Sequence, residues 1–264
     1  MTLDFTRHSK FRKKSIIVVL EVKILVLDEQ ITKYKALDEW FRTPQGIRVA
    51  QAFLSELAAV KDFFGGKSLI QLGSCGNNPW LSVLQYRQKW VFSPCQAMDK
   101  ITLLTSLTSL PIERNSIDCV VAPMTLEAFG FNRNPLDEID RILKPMGYAV
   151  FIGVNPVSFW GAALRFNSIH CFGKSTSNLS SSLSLKHAMI SRGYTQCLLR
   201  SFYYIPPVSN RKLIHQLEFF NEVGKMIWPF PAGFYCFIVQ KYQSVNPSLL
   251  FDKFDDELLY FARN

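Results

Sequence analysis

Two nearly continuous apolar runs, each followed by a polar loop, constrain the fold of this chain most strongly. They are LIQLGSCG at residues 69–76 and SIDCVVAPMTLE at residues 116–127. An apolar run without alternation predicts a strand that is buried on both faces, as in a parallel sheet. Helical patterns between and after the two runs complete a β-α-β alternation, which indicates an α/β fold. We therefore expect both polar loops at the carboxyl edge of one mostly parallel sheet.

The order of the other elements follows from turn residues and apolar periodicity. Residues 36–63 are predicted to be helical, and Thr43–Pro44 has the features of a helix start because proline suits the first helical position. Further helices are predicted over 79–88, 136–143 and 210–227. Two late segments, 195–205 and 233–242, are predicted strands that form an antiparallel edge of the sheet.

Length and charge limit the domain organisation and the class of partner. The chain has 264 residues, 48% of them apolar, which is enough for one α/β domain with a substantial core. We expect an N-terminal extension over 1–35, the domain over 36–243 and a C-terminal tail over 244–264. The 30 Lys+Arg and 21 Asp+Glu residues leave a net charge of +9. Such a charge is typical either of a plain basic surface or of a protein with an anionic partner.

The cysteine pattern and the apolar N-terminal run indicate where the protein functions. The six cysteines form no C-x-x-C pair and no Cys/His spacing that suits zinc, so we expect no disulfide framework and no metal site. The apolar run at 16–20 is interrupted by Glu21 and Lys23, and it is too short and too charged to span a bilayer. We expect a cytoplasmic protein with reduced cysteines.

Several segments over residues 38–241 carry a family resemblance. They are EWFRTPQG (39–46), LIQLGSCG (69–76), LPIERNSIDCVVAPMTLE (110–127), LDEIDRILKPMGYAVFIGVNPVSFWG (136–161) and IWPFPAGFYCFIVQK (227–241). In these segments the chain resembles the class I S-adenosylmethionine-dependent methyltransferases, and more narrowly the bacterial proteins with a type 11 methyltransferase domain. The resemblance implies a Rossmann-like sheet, mostly parallel with an antiparallel last strand and helices on both faces. It also implies S-adenosyl-L-methionine as cofactor and S-adenosyl-L-homocysteine as product.

The resemblance also implies which residues line the cofactor site. In this family the loop after the first strand holds the methionine part of the cofactor, the segment near residue 106 contacts the adenine, and the loop after the fourth strand contacts the cofactor or the acceptor. Carried over to this chain, the lining residues are Gln71, Gly73, Ser74, Cys75, Gly76, Ser106, Leu107, Pro123 and Met124.

The chain departs from the family pattern at three places. The first loop is usually D/E-x-G-x-G-x-G, whereas here Gln71 replaces the acid and Cys75 and Asn77 break the glycine spacing. The aspartate that commonly binds the adenine amino group is Ser106, and the second strand ends in the run 92–95, FSPC, without an acid. Each lost carboxylate contact removes about 1–3 kcal/mol of binding free energy.

Methyl transfer requires few catalytic side chains. The sulfonium methyl group is already activated, so the protein mainly aligns the acceptor and excludes water, and a general base is needed only for a poorly nucleophilic acceptor. Candidate bases are His170, His187 and Glu127, each of which also has an ordinary structural interpretation. The sequence assigns no catalytic residue.

Three functional interpretations stay open at this point. The first is a methyltransferase for a small-molecule acceptor, and the second is a methyltransferase for RNA, which the net charge favours and the lack of an RNA-binding motif disfavours. The third is a non-catalytic protein of this fold that acts as a binding or scaffold partner. It predicts a cofactor pocket filled by side chains such as Gln71, Cys75 or Met124. A late aromatic group is interpreted either as core or as a lid over the acceptor: Phe159, Trp160, Phe166, Phe172, Tyr203, Tyr204, Trp228 and Phe230.

Overall fold

The computed structural model describes residues 28–96, 101–129, 135–166, 168–173, 179–208, 212, 216–217 and 231–242. The helices are α1 (28–41), α2 (Pro44–Ala58), α3 (Thr125–Phe129), α4 (Leu136–Ile142), α5 (Phe159–Arg165) and α6 (Ser182–Ile190). The strands are β1 (Gly65–Leu72), β2 (Gln85–Ser93), β3 (Leu103–Leu104), β4 (Ile117–Pro123), β5 (Leu143–Val154), β6 (Tyr194–Phe202) and β7 (Phe234–Lys241). Short 3₁₀ turns lie at Lys61–Phe63 and Pro79–Ser82.

The seven strands form one sheet in the order β3-β2-β1-β4-β5-β7-β6. Strands β1 to β5 are parallel, whereas β7 lies antiparallel between β5 and β6. The central strand β1 buries its last five residues, as expected for a strand with neighbours on both sides and helices around the sheet. The predicted α/β class, mostly parallel with antiparallel C-terminal strands, is confirmed.

The connection between β1 and β2 differs from the prediction. A helix was expected over 79–88, but only the 3₁₀ turn Pro79–Ser82 forms, and β2 already begins at Gln85. Twelve residues, 73–84, therefore join two parallel strands, which is close to the shortest crossover that such a pair allows. The turn is held by Trp80, which is fully buried.

The predicted helix over 36–63 is two helices with a sharp junction. Thr43 is the N-cap of α2, its hydroxyl accepts the N–H of Gly46 at 3.2 Å, and Pro44 follows at the first helical position as predicted. The preceding helix α1 runs from 28 to 41, so the boundary expected at residue 35 lies inside it. Both helices pack on the sheet domain, because Tyr34 of α1 and Phe53 of α2 are fully buried.

Aromatic side chains connect the helices to the C-terminal strands. The ring of Phe53 contacts Trp80 at a centroid distance of 5.1 Å and Phe202 of β6 at 6.1 Å. Of the late aromatic group, Trp160, Phe172 and Tyr203 belong to the buried core, whereas Phe159 and Phe166 are exposed. The segment GVNPVSFWG is thus largely a capped helix start: the hydroxyl of Ser158 accepts the N–H of Gly161, and the indole N–H of Trp160 donates to Ile205.

Some sequence predictions lie outside the described residues. These are residues 1–27 of the extension predicted over 1–35, most of the predicted helix over 210–227, Trp228, Phe230 and the whole tail predicted over 244–264. Within the described residues, no helix is long and apolar enough to cross a bilayer. Over the same part of the chain, no three His, Cys, Asp or Glu side chains are grouped as a metal site.

Candidate functional site

The loop after β1 makes a tight turn at the carboxyl edge of the sheet. Gly73 and Gly76 have φ angles of +85° and +58°, a conformation that glycine adopts without steric cost. The N–H of Gly73 donates to the carbonyl oxygen of Phe92 at 2.7 Å, which ties the loop to the end of β2. The turn aims the hydroxyl of Ser74 and the N–H of Gly76 at one acceptor.

That acceptor is the carboxylate of Asp38, on α1. Its Oδ1 accepts the hydroxyl of Ser74 at 2.8 Å and the N–H of Gly76 at 2.9 Å. Its Oδ2 accepts two guanidinium N–H groups of Arg42, at 3.2 and 3.3 Å. Asp38 is only 4% exposed, and a buried carboxylate needs this degree of pairing. The loop therefore binds a carboxylate, and the chain itself supplies it.

Gln71 stands where the family usually has an acid, and both ends of its amide are used within the fold. Its Oε1 accepts the indole N–H of Trp80 at 2.9 Å. Its Nε2 donates to the carbonyl oxygen of Gly73 at 2.8 Å and to the side chain of Asn78. Asn78 in turn accepts the N–H of Cys75 at 2.9 Å. Gln71 thus holds the shape of the loop from beneath.

A second side chain of α1 lies directly over the loop. A Cβ atom at Gly73 would overlap the ring of Tyr34, so the space above this glycine is filled by that ring. Tyr34 is fully buried and contacts Phe129 edge-on at 6.0 Å. Burial raises the pKa of its phenol far above the ordinary value.

The loop after β4 is equally closed. Pro123 ends the strand, and Met124 is fully buried with a φ of +50°. Glu127 follows in α3; its Oε1 accepts the N–H of Val154 at 3.0 Å, whereas its Oε2 is buried without a hydrogen-bond partner. Burial raises the pKa of this carboxyl group to about 7.

The adenine side of the expected site is reached from the ends of β2 and β3. Leu107 is fully buried, whereas the hydroxyl of Ser106 is on the surface and pairs with Thr108 at 2.8 Å. Ser93, the last residue of β2, is fully buried and accepts the N–H of Cys95 through its hydroxyl at 3.3 Å. Its neighbours at 92–96 include no carboxylate.

Comparison with known proteins agrees with this architecture. Residues 82–151 match a sequence family described as "Methyltransferase domain". Three solved structures share the fold. An S-adenosylmethionine-dependent methyltransferase of Thermotoga maritima, a possible histamine N-methyltransferase, is 20% identical, covers 77% of this chain and 93% of its own, and has a TM-score of 0.53. The putative methyltransferase solved in complex with the Trm112 activator of Haloferax volcanii is 14% identical, covers 81% and 99%, and has a TM-score of 0.57. An S-adenosylmethionine-dependent methyltransferase of Archaeoglobus fulgidus is 18% identical, covers 77% and 97%, and has a TM-score of 0.51. No curated protein matches the sequence.

These matches, the order of the strands in the sheet and the loop at 73–78 together identify the fold. The chain has the class I methyltransferase fold. At these identities the similarity concerns the fold, and the activity has to be argued from the site.

The most specific motif residues of the methyltransferase fold lie at the edge of the sheet opposite the loop at 73–78. Glu138 accepts the N–H of Leu110 at 2.6 Å, while Arg141 donates to the carbonyl oxygens of Leu110 and Ile112 at 2.9 and 2.7 Å. Asp118 accepts the N–H of Ser68 at 2.9 Å and, at 2.7 Å, the ammonium group of Lys144. These contacts join segments of the fold, so the motif match supports the architecture and does not bear on cofactor binding.

The fit of S-adenosylmethionine, the cofactor that the resemblance implies, to this candidate site differs between the two ends of the molecule. Ser74 and Gly76 offer the hydroxyl and N–H donors that an amino-acid carboxylate needs, and they already hold one. On the other side, neither Ser93 nor Ser106 offers a carboxylate to the ribose or the adenine. The donor set fits the methionine end of S-adenosylmethionine, and Tyr34 and Asp38 fill that place in this conformation.

The candidate bases differ in position. His170 and His187 are exposed, on a loop and on α6. Glu127 is fully buried near Tyr34 of α1: burial raises the pKa of this tyrosine, and the charge of Glu127 adds to the effect. Of the three, only Glu127 lies near the loop over which Tyr34 packs. Sequence reasoning named Glu127, but it missed Asp38 and Tyr34, because their contacts with the loop depend on how α1 docks.

A mostly apolar cavity of about 430 Å³ opens beside the loop, between it and α2. Its described lining residues are Phe41, Arg42, Ile47, Ala50, Gln51, Cys75, Asn77 and Pro79. Cys75 is fully buried in its wall, and burial raises the pKa of this thiol well above its usual value. A cavity of this size and composition suits a small organic molecule.

Proposed function

We propose that this chain is an S-adenosylmethionine-dependent methyltransferase that acts on a small-molecule acceptor. The observation that carries the proposal is the turn after β1, in which Ser74 and Gly76 hold a carboxylate at 2.8 and 2.9 Å. The fold and the methyltransferase-domain match over 82–151 support it. The turn lies at the carboxyl end of the central strand β1, where the methionine end of the cofactor would be bound.

In this proposal the described residues have separate roles. Ser74 and Gly76 bind the carboxylate of the cofactor. The missing Cβ of Gly73 leaves room for the methionine carbon atoms next to that carboxylate once Tyr34 has moved away. Leu107 and Ser106 border the adenine, and Met124 separates the methionine end from α3. The bound cofactor supplies an activated methyl group, so the protein has to position the acceptor and exclude water.

The cavity of about 430 Å³ supports a small acceptor. Its wall is mostly apolar, and Cys75 belongs both to this wall and to the loop, whereas the guanidinium of Arg42 at its border is paired with Asp38. We propose an apolar or aromatic molecule as the acceptor on this basis. Methylation of RNA stays a prediction from the net charge of +9 alone.

A second candidate function is favoured by one observation. Gln71, Cys75 and Met124 are all fully buried, which is the arrangement expected of a non-catalytic protein that uses the methyltransferase fold for binding. The short connection between β1 and β2 points the same way, because it lacks the helix whose N-terminus would face an anionic ligand. This candidate predicts that the protein binds no cofactor.

Calorimetric titration of the full-length protein with S-adenosylmethionine and S-adenosylhomocysteine distinguishes the two candidates. Micromolar binding of either compound supports the methyltransferase and justifies an acceptor screen with radiolabelled methyl groups, with small aromatic molecules and RNA as separate arms. Absence of heat and of any thermal shift at millimolar ligand would exclude the methyltransferase and leave the non-catalytic binding protein.

A further inference from the structure

We infer that the turn formed by Ser74 and Gly76 is a carboxylate-binding site that α1 fills with Asp38, so that α1 and the amino-acid end of the cofactor compete for the same donors. The inference rests on the proposed function for the identity of the competing ligand. The site itself rests only on the contacts of Asp38.

The donors at this turn are fully used by Asp38. Its Oδ1 takes both the hydroxyl of Ser74 and the N–H of Gly76, and its Oδ2 takes the guanidinium of Arg42. A free amino-acid carboxylate uses the same kind of donors in the same charge-assisted bonds. Since a hydroxyl and an N–H group each donate one hydrogen bond, the two carboxylates cannot both be bound there.

The same helix also fills the space above the turn. Tyr34 and Asp38 are four residues apart on α1 and therefore lie on one face of the helix. The ring of Tyr34 occupies the place of the missing Cβ of Gly73, while the carboxylate of Asp38 binds the next residues of the same turn. The helix thus presents a ring and a carboxylate to the loop together, and both must leave before a ligand enters.

The packing of α1 is suited to such an exchange. Its buried face carries Gln30 and Lys33, which are polar residues that are rarely buried. The Oε1 atom of Gln30 and the Oε2 atom of Glu127 are buried without a hydrogen-bond partner among the described residues. Each such atom gains a hydrogen bond to water when the helix moves away.

The C-terminal end of α1 is held more firmly. Trp40 packs on Trp160 at a ring distance of 5.7 Å, and Phe41 packs on Trp80 at 5.8 Å. In the proposed exchange these contacts keep the end of the helix attached to the sheet domain, while the part before them, which also buries Tyr34 and Leu37, is displaced. Only open molecules then bind the cofactor. The apparent affinity is therefore the affinity of the open form multiplied by the fraction of molecules that are open.

The test compares two ligands on full-length protein by calorimetry. S-adenosylhomocysteine carries the amino-acid carboxylate, whereas 5′-methylthioadenosine shares its thioether nucleoside and lacks that group. We expect Asp38→Ala to bind S-adenosylhomocysteine about tenfold more tightly than the wild type, because the open fraction rises and the donors are free. Asp38→Asn keeps the shape of the side chain but not its charge, so its affinity for S-adenosylhomocysteine should lie between those of the wild type and Asp38→Ala. Binding of methylthioadenosine should change much less than that of S-adenosylhomocysteine.

Asp62→Ala is the matched control, because it removes an exposed carboxylate and changes the net charge equally; its affinity should equal that of the wild type. Equal affinity of the wild type and Asp38→Ala for S-adenosylhomocysteine would overturn the inference. A gain that is equally large for methylthioadenosine, or weaker binding by Asp38→Ala, would also overturn it.

Hydrogen exchange at the amide of Gly76 separates failure of the inference from failure of the proposed function. In the wild type this amide should exchange slowly, and in Asp38→Ala it should exchange at least about tenfold faster. If neither protein binds S-adenosylhomocysteine, the proposed function fails and exchange alone decides: faster exchange in the variant supports a self-filled carboxylate site, and unchanged exchange overturns it.

Discussion

The indole N–H of Trp80 donates to the side-chain oxygen of Gln71 at 2.9 Å. This bond joins the end of β1 to the short turn that stands in place of a helix before β2. Only an amide serves here, because the other end of Gln71 must donate to Gly73 and Asn78 while its oxygen accepts from Trp80. The departure from the acid of the family pattern is thus part of a complete local network.

Restoring the family acid with Gln71→Glu should therefore destabilise the protein. The carboxylate keeps the bond from Trp80 but loses two donated bonds and places a charge next to the oxygens of Gly73 and Asn78. We expect the free energy of unfolding to fall by about 3 kcal/mol, measured by urea denaturation. Gln85→Glu, at an exposed position of β2, should change it by less than about 0.5 kcal/mol. Equal stability of Gln71→Glu and wild type would show that the network is not needed.

The architecture could be predicted because its signals are local. Continuous apolar runs gave β1 and β4, and Thr43–Pro44 marked the start of α2, since each depends on neighbours within a few residues. The predicted helix at 79–88 failed because its second half pairs with β1, from Gln85 beside Gly65 onwards, twenty residues away in the sequence. Local propensity does not reveal such a contact.

The candidate site was only half predictable for the same reason. Gly73 and Gly76 are visible as turn residues in the sequence. Asp38 and Tyr34 lie more than 35 residues before the loop that they contact, in a helix whose packing is set by Trp40 and other apolar residues. No spacing rule relates an acidic residue in α1 to a glycine turn, so the self-filled site appears only in the structure.

The motif that supports the resemblance most strongly makes a structural prediction of its own. Arg141 binds two backbone carbonyl oxygens, of Leu110 and Ile112, and the carboxylate of Glu138. Lysine cannot reproduce this forked geometry. Arg141→Lys should lower the free energy of unfolding by about 1–2 kcal/mol, whereas the exposed Arg114→Lys should leave it unchanged, and thermal or urea unfolding would measure both. Cofactor affinity should be unaffected by Arg141→Lys; a large loss of affinity in a stable variant would contradict the structural role.

Close packing between β5 and β7 gives a third prediction. A Cβ atom at Gly153 would overlap the hydroxyl of Tyr235, whereas a Cβ atom at Gly65 would meet nothing within 4 Å. Gly153→Ala should therefore destabilise the protein by about 1–3 kcal/mol through overpacking. Gly65→Ala, also in a strand, is the control and should be neutral or slightly stabilising. Similar unfolding midpoints for the two variants would show that Tyr235 moves without cost.

The buried carboxyl group of Glu127 makes stability depend on pH. Burial raises its pKa in the folded protein to about 7 from an ordinary value of 4.5. Between these two values the folded protein binds a proton that the unfolded chain has lost, so the free energy of unfolding falls as the pH rises. The contribution is fully present below pH 4.5 and is lost above the folded pKa. Glu127→Gln lacks this titration, and its amide oxygen can still accept the N–H of Val154.

We expect Glu127→Gln to gain stability relative to the wild type as the pH is raised from 5 to 8, by on the order of 3 kcal/mol. Urea denaturation at both pH values measures the difference, and titrations of other groups cancel between the two proteins. Glu113→Gln, at an exposed site, should show no such trend. A difference between Glu127→Gln and wild type that is constant with pH would mean that Glu127 is ionised in the folded protein throughout this range. Glu127 would then be a charged group in the folded protein and not a protonated, neutral one.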